Sequence, residues 1–195
     1  MIGAGQLVLE SVACRRGGRL LFENLSCRLG PGEAVLVRGP NGAGKSSLLR
    51  LIAGLLTVEH GTITLSGRLG LAADAGFLDG RKPLAKALAF WAGLDRSSDA
   101  AVPKALLALG IAHLADVPIR ILSTGQKKRA VLAAIIASGA GIWLLDEPAN
   151  GLDVDSVVLL EAAIATHRAS GGITVIASHQ NLLLPDVQEI VLGAS

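Results

Sequence analysis

A glycine-rich segment with a single lysine is the first stretch of the chain whose residue types could do chemistry. The segment GPNGAGKS, residues 39–46, fits the pattern G-x-x-x-x-G-K-[ST] and lies between an aliphatic run and an amphipathic run. Its glycines let backbone N–H groups point at phosphate oxygens, and a following helix adds partial positive charge. We predict a phosphate-binding loop in which Lys45 reaches the β- and γ-phosphates and the Ser46 hydroxyl faces Mg²⁺. The predicted nucleotide contacts are Gly39, Pro40, Asn41, Gly42, Ala43, Gly44, Lys45, Ser46 and Ser47.

Two acidic residues end a buried aliphatic run much later in the chain. In IWLLDEP, residues 142–148, four apolar residues precede Asp146 and Glu147. Ligands of open α/β folds gather at the carboxyl ends of strands, and carboxylates at such an end are costly unless they are used. We predict that Asp146 holds Mg²⁺ and that Glu147 polarises the water attacking the γ-phosphate. The run ITVIASH ends similarly at His179, which we predict contacts the γ-phosphate.

The elements that must position these residues alternate between strands and helices. This order predicts an α/β fold with a mainly parallel core sheet and a helical insertion near residues 71–139. The stretch at residues 68–83 is rich in Gly, Ala and Asp and is predicted to be a loop. Strands are predicted at residues 7–14, 25–29, 34–39, 61–67, 141–148, 173–179 and 189–195, and helices at 40–56 after the loop, 83–94, 100–116, 121–134 and 155–170.

Composition narrows the class of protein. The chain has 195 residues, a hydrophobic fraction of 51%, a mean hydropathy of +0.54 and a net charge of +2, so nucleic acid is not the expected partner. Cys14 and Cys27 stand outside any Cys-x-x-Cys pattern, which argues against zinc. The first ten residues lack the features of a signal peptide, and the longest uncharged run is shorter than the ~20 residues of a membrane span. We expect a chain that is soluble by itself and has one domain.

The segment ILSTGQKKRAVLAA, residues 121–134, places positive charge at the start of a predicted helix. Positive charge is unfavourable there, so a nearby anion is expected. Together with GPNGAGKS, LLDEP, GLD and a late SH in this order, LSTGQ resembles the nucleotide-binding subunits of ABC transporters. LSTGQ is the motif that separates this family from other P-loop ATPases, and Thr124 stands where the family pattern has Gly.

The resemblance implies a fold, an activity and an assembly. The fold would be a P-loop NTPase with a RecA-like, mainly parallel core sheet, a small antiparallel β subdomain and a helical subdomain. The chain would form one ATP-binding domain over residues 1–195, with the core at about 1–70 and 140–195 and the helical subdomain at about 71–139. It would hydrolyse ATP with Mg²⁺ in a head-to-tail pair, as a homodimer, with Glu147 and His179 as the catalytic residues.

In such a pair each LSTGQ loop completes the site of the other subunit. Ser123 and the Gly125 N–H would meet the partner's γ-phosphate, and Lys127, Lys128 and Arg129 would add attraction to that anion. The alternative for at least one of the two lysines is a place on a solvated helix face. The implied contacts to the ATP of the second subunit are Ser123, Thr124, Gly125, Gln126 and Asp153.

The chain departs from the family pattern at two further places. The family stacks adenine on an aromatic residue, but this chain has no Tyr, and the matching stretch CRRGGRLLF offers Arg15 or Arg16. A guanidinium plane can stack on a base. The family also has a Gln that senses the γ-phosphate and Mg²⁺. The corresponding loop here, GFLDGRKP, has Leu78 or Asp79 near that position.

Several fragments resemble one group within the family, the ATP-binding subunits of cytochrome c biogenesis, which serve haem export. These fragments are LSTGQKKRAVLAA, LLDEPANGLD, ALAFWAGL and GFLDGRKP. The resemblance implies integral membrane partners in a cytochrome c maturation complex and a place on the cytoplasmic face of the bacterial inner membrane. ATP use would drive haem delivery to, or release of, a haem chaperone. No Cys-x-x-Cys-His occurs and the four histidines are scattered, so partners would handle haem.

Three alternatives stay open at this stage. The chain could serve an ABC transporter for another substrate, which co-purified membrane subunits would reveal. It could be a soluble ABC protein acting on ribosomes or nucleic acid, although it has one ATP module and little net positive charge. It could also bind ATP without hydrolysing it, which the missing Gln favours and the motif residues Lys45, Asp146, Glu147 and His179 oppose.

Overall fold

The computed structural model describes residues 5–72, 75–94 and 100–193. Positions 73–74 of the predicted loop and the last two residues of the predicted final strand lie outside these ranges. The strands are β1 Gln6–Arg16, β2 Arg19–Leu29, β3 Ala34–Arg38, β4 His60–Ser66, β5 Leu69–Ala72, β6 Ile142–Asp146, β7 Ile173–Ala177 and β8 Gln188–Val191. The α-helices are α1 Lys45–Ile52, α2 Leu84–Leu94, α3 Ala101–Ala108, α4 Thr124–Ser138 and α5 Val154–Ala169. Short 3₁₀ turns cover Ala75–Phe77, Ala112–Leu114 and Ile119–Ile121.

The strands form two sheets. One has three antiparallel strands in the order β2-β1-β4, and the other has five parallel strands in the order β5-β6-β7-β3-β8. The two sheets and the helices confirm the predicted α/β fold with a mainly parallel core sheet and a small antiparallel sheet. The strands that end at the predicted site residues, β3, β6 and β7, are adjacent in the parallel sheet.

The parallel sheet is covered on both faces, as its continuous aliphatic strands require. Along β3, Leu36 packs into a core shared with helices α2 to α5, whereas Val35 and Val37 pack toward α1 and the antiparallel sheet. The same alternation occurs in β6, where Leu145 and Leu144 belong to the two different cores. The strands are therefore fixed from both sides, and so are the loops at their carboxyl ends.

The structure corrects two predictions about the strands. Strand β5 lies inside the stretch predicted as a loop and pairs with β6, so it extends the core sheet to Ala72. Its Gly70 approaches α4 so closely that a Cβ there would lie 2.9 Å from Cγ2 of Ile135. Strand β2 begins at Arg19 instead of residue 25, because it pairs along β1.

The helix predicted for residues 100–116 is shorter than expected. Helix α3 ends at Ala108, because Gly110 adopts a φ of 64° and the chain then enters a 3₁₀ turn. No helix in the described ranges is long and apolar enough to cross a membrane. The division of the chain into a core and a helical subdomain stays a prediction.

Candidate functional site

The phosphate-binding loop connects β3 to α1 through three glycines with positive φ. These angles are 140° at Gly39, 82° at Gly42 and 105° at Gly44, in the range that side chains disfavour. At Gly44 a side chain would also meet its neighbours, because a Cβ would lie 3.1 Å from the Phe22 ring and 3.2 Å from Cβ of Leu21. The glycines are therefore needed for the course of the backbone, as the motif predicts.

Lys45 is nearly buried, with 7% of its surface exposed. Its Nζ donates to the carbonyl oxygens of Gly39, at 2.7 Å, and Pro40, at 3.2 Å, and lies 3.9 Å from Oε1 of Glu147. The ammonium thus lies across the loop, between its backbone and the carboxylate at the end of β6. A buried ammonium needs such partners, and phosphate oxygens would be stronger ones.

A cleft of about 250 Å³ opens beside the loop. Ala43 is buried at 8% exposure, and Gly39 and Pro40 face Lys45 with their carbonyl oxygens. The cleft is lined by Leu21, Asn41, Gly42, Gly44, Lys45, Ser46, Ser47 and Glu147. Most of the predicted loop residues, and the predicted base, thus share one cavity.

Ser46 and Asp146 are joined by a hydrogen bond, although of the two only Ser46 lines the cleft. The Ser46 hydroxyl donates to Oδ1 of Asp146 at 3.0 Å. Within the described ranges no group of three His, Cys, Asp or Glu side chains could hold a metal ion. The pair nevertheless fits Mg²⁺, which binds through one or two protein oxygens and completes its shell with phosphate oxygens and water.

The backbone of Glu147 is in the left-handed region, with a φ of 46°. Its N–H donates to the Ala177 carbonyl at 2.8 Å, and its own carbonyl accepts from Nζ of Lys128 at 3.1 Å. Its side chain has a second neighbour, because Oε2 lies 2.9 Å from Nδ1 of His179. The structure therefore brings the predicted base and the predicted histidine together.

Lys128 makes a contact that we did not predict. The resemblance gives Lys128 a part in attracting a distant phosphate, but in the structure its ammonium bonds within its own chain. Burial lowers the pKa of Lys128, while the carboxylates of Glu147 and Asp146 oppose that shift. No local pattern could identify this contact, because α4 and β6 are brought together only by the tertiary fold.

The LSTGQ corner forms the start of α4. Ser123 is the N-cap, and its side-chain oxygen accepts from the Gln126 N–H at 3.3 Å while Oε1 of Gln126 accepts from the Ser123 N–H at 2.8 Å. This reciprocal pair is a capping box, so the two side chains order the helix start. Thr124 and Gly125 form the first turn, and a Cβ on Gly125 would lie 3.2 Å from the Gly151 carbonyl.

Asp153 caps the next helix. Its Oδ1 accepts from the Ser156 N–H at 2.8 Å at the start of α5. Hydrogen bonds from Ser156, first its side chain and then its N–H, lower the pKa of Asp153. Neither Asp153 nor the LSTGQ corner lines the cleft of its own chain. Their contact with a second subunit's nucleotide stays a prediction.

The two candidates for the adenine contact lie in the β1–β2 hairpin. Arg15 is exposed and donates to Oε1 of Glu59 and to the Gly18 carbonyl, both at 3.1 Å, and Arg16 is also exposed. Leu21 lines the cleft, although we did not predict it. Its only signal in the sequence was its place in the stretch CRRGGRLLF, which we matched to the adenine contact of the family.

The loop GFLDGRKP, which corresponds to the γ-phosphate sensor of the family, has one of its two candidate residues in the core and the other on the surface. Leu78 is buried at 5% exposure in the core of the helices. Asp79 is exposed, and its Oδ1 accepts from the Arg81 N–H at 3.0 Å. A hydrogen bond from the Arg81 N–H is the main cause that lowers the pKa of Asp79.

Comparison with known proteins places the chain in a family. The profile of the ABC transporter family matches residues 22–150. The chain belongs to the ABC transporter family. It is 54% identical over 187 residues to the "cytochrome c biogenesis ATP-binding export protein CcmA" of Sphingopyxis alaskensis, covering 96% of both chains. It is 50% identical over 190 residues to the CcmA protein of Zymomonas mobilis, covering 97% of this chain and 86% of that one.

Solved ABC transporter structures share the fold. A bacterial Atm1-family ABC exporter with ATP bound superimposes with a TM-score of 0.80 at 22% identity, over 98% of this chain and 38% of that one. An inward-facing metal-chelate type ABC transporter gives a TM-score of 0.79 at 24% identity, over 96% of this chain and 79% of that one. These two structures show the fold alone, whereas the identities to the CcmA proteins show that the chain is CcmA-like.

Proposed function

We propose that this chain is the ATP-hydrolysing motor subunit of a membrane ABC complex in cytochrome c maturation, where hydrolysis drives haem delivery to, or release of, a haem chaperone. The observation that carries the proposal is the 54% identity to a CcmA protein over 96% of both chains. The geometry around the cleft supports the chemistry. The phosphate loop lines the cleft, and Ser46 and Glu147 in its lining contact Asp146 and His179 respectively.

In the proposed mechanism, Lys45 and the N–H groups of the loop bind the β- and γ-phosphates. Ser46 and Asp146 would hold Mg²⁺, which would neutralise charge on the phosphates when bound. Glu147 accepts a proton from the attacking water. His179, 2.9 Å from Glu147, orients that carboxylate. The residues thereby hold the water and the γ-phosphate in reacting positions.

A second copy of the chain completes each site in this proposal. Ser123–Gln126 and Asp153 would contact the ATP held by the other copy, as the resemblance implies. What supports this arrangement is that Ser123, Thr124 and Asp153 are exposed at the starts of two helices, where a second chain could reach them. The dipole of α4 would then point at a triphosphate.

The proposed partners are integral membrane subunits, with the ATPase on the cytoplasmic face of the bacterial inner membrane. The names of the relatives, which describe an export protein of cytochrome c biogenesis, support this place. Haem would be handled by those partners. The modest net charge of +2 supports a complex without nucleic acid.

Complementation tests the proposal. The chain is expressed in a bacterium from which the gene for its own cytochrome c biogenesis ATP-binding subunit has been deleted, and c-type cytochromes are measured by haem staining. The wild-type chain should restore them, and a Glu147→Gln variant expressed at the same level should not. If the Sphingopyxis alaskensis relative restores cytochromes and this chain does not, the assignment to cytochrome c maturation is wrong.

A further inference from the structure

We infer that Lys128 is a positioning residue for Glu147. Its ammonium donates a hydrogen bond from α4 to the Glu147 carbonyl and so holds the backbone of the catalytic base in its working orientation. This inference rests on the proposed role of Glu147 as the base. It adds a residue outside the nucleotide cleft to the machinery of hydrolysis.

The backbone at Glu147 needs to be held. A φ of 46° lies in the left-handed region, which is unfavourable for a residue with a side chain. Such conformations persist only where surrounding contacts impose them. The conformation matters because a change of φ at Glu147 would swing its carboxylate away from the end of β6.

The structure supplies restraints on both sides of this residue. On the amino side, the Glu147 N–H donates to the Ala177 carbonyl of β7 at 2.8 Å. On the carbonyl side, Nζ of Lys128 lies 3.1 Å away, and the Asn150 N–H donates to the same oxygen at 3.2 Å. Of the donor Lys128 and the partners Ala177 and Asn150, only Lys128 belongs to α4. Its hydrogen bond therefore connects this helix to the backbone of Glu147.

The burial of Lys128 supports a dedicated contact. The side chain is partly buried, and burial lowers its pKa, while Glu147 and Asp146 favour its charge. A desolvated ammonium is costly without strong acceptors. Lys128 is therefore not simply part of a solvated helix face with its neighbour Lys127. Lys128 does not line the cleft, which distinguishes its role from that of Lys45.

The hydrogen bond from Lys128 also connects Glu147 to the start of helix α4. The first turn of α4 holds the LSTGQ corner, and Gly125 there packs against the Gly151 carbonyl in the segment that follows Glu147. A displacement of the start of α4 would therefore move Lys128 and the Glu147 backbone together. The base of one site is thus linked mechanically to the corner proposed to contact a second nucleotide.

The test compares steady-state ATP hydrolysis by Lys128→Met, Lys128→Arg and a control, Lys104→Met, which removes an exposed lysine from α3. Lys128→Met should lower kcat about 10- to 100-fold, since small misplacement of a reacting group has effects of that size. Its KM for ATP and its affinity for a fluorescent ATP analogue should stay within about twofold of wild type. The reason is that Lys128 does not contribute to the binding of ATP in the ground state. Lys128→Arg should recover most of kcat, and Lys104→Met should match wild type.

If Lys128 had only a structural role, Lys128→Met would lower the thermal stability and the fraction of active molecules. The kcat of the molecules that remain folded would then stay at the wild-type value. If Lys128→Met does not yield folded protein, Lys128→Gln takes its place with the same expected loss of kcat. A kcat within twofold of wild type in the folded variant overturns the inference.

A double mutant separates this inference from the proposed function. On a Glu147→Gln background, Lys128→Met should cause no further loss of activity, because the two residues act as one unit. Full activity of Glu147→Gln alone would show that the base itself is misassigned. An inactive Glu147→Gln together with an unaffected Lys128→Met would overturn only the role of Lys128.

Discussion

The Nδ1 atom of His179 lies 2.9 Å from Oε2 of Glu147, so the imidazole and the carboxylate orient each other at the ends of two neighbouring strands. The His179 N–H adds a contact to the same oxygen at 3.4 Å. A neutral ring with its proton on Nδ1 donates to the carboxylate and leaves Nε2 as an acceptor, whereas an imidazolium donates from both nitrogens. The contact with Glu147 therefore requires a proton on Nδ1 in either form of the ring.

Removing this imidazole should slow hydrolysis without abolishing nucleotide binding. We expect His179→Ala to lower kcat about 10²-fold or more, as for loss of a group that positions a general base. The affinity for ATP, measured by titration with a fluorescent analogue, should change much less. A variant with normal kcat would remove His179 from the reaction.

Glu147→Gln should uncouple binding from hydrolysis. The amide keeps the shape of the side chain but cannot accept the proton of the attacking water, so turnover should fall about 10²- to 10⁴-fold. Uncleaved ATP should then hold two copies of the chain together, which size-exclusion chromatography with and without ATP would detect. Turnover at the wild-type rate would sink the assignment of the base.

Lys45→Ala should abolish tight nucleotide binding. The variant removes a nearly buried ammonium whose acceptors are two loop carbonyls in reach of the predicted phosphate position. Equilibrium titration should show a loss of affinity for ATP of about 10-fold or more, since charge-assisted bonds to phosphate are the stronger kind. Lys104→Ala serves as the control, and unchanged affinity in Lys45→Ala contradicts the phosphate-loop assignment.

Two substitutions at Asp153 separate its cap from its proposed contact with a second subunit. Asp153→Ala loses the bond to the Ser156 N–H and should lower the thermal midpoint, whereas Asp153→Asn keeps an N-cap acceptor and should not. If Asp153 also acts across the dimer, Asp153→Asn should reduce ATPase activity while it preserves the thermal midpoint. Wild-type activity in a stable Asp153→Asn protein would limit this residue to capping.

His167 makes the stability of the fold dependent on pH. Its ring is 5% exposed, stacks on Trp143 with centroids 3.8 Å apart, and places Nε2 3.2 Å from the Ile173 carbonyl. Burial, the largest cause, lowers the pKa of His167 from 6.5 to about 4, although the carbonyls oppose the shift.

The unfolded chain therefore takes up this proton first, so stability is complete above pH 6.5 and declines as the pH falls toward 4. Denaturant titration should record a loss of about 2 kcal/mol between pH 7.5 and pH 5 from this group. His167→Phe keeps an aromatic ring against Trp143 and should remove this part of the slope. An unchanged slope in that variant would mean that other groups cause it.

Features of the fold could be predicted from the sequence where they are determined by neighbouring residues, and not where they depend on distant parts of the chain. The phosphate loop, its flanking strand and helix, and the acids after β6 follow from short contiguous patterns, and the structure contains each of these elements. Strand β5 was missed because the short LGLA carries no periodicity and becomes a strand only by pairing with β6. The contact of Lys128 was missed because its partner, Glu147, follows β6 and meets α4 only in the folded chain.

The order of the parallel sheet determines when the ATP site can first exist during synthesis. Strand β3, which carries the loop, pairs only with β7 and β8 among the described strands, and both emerge from the ribosome long after it. Such distant pairing forms slowly. A nascent chain that has exposed the glycine loop therefore has no sheet to support it until β7 arrives, and ribosome-bound intermediates truncated before Ile173 should not retain nucleotide.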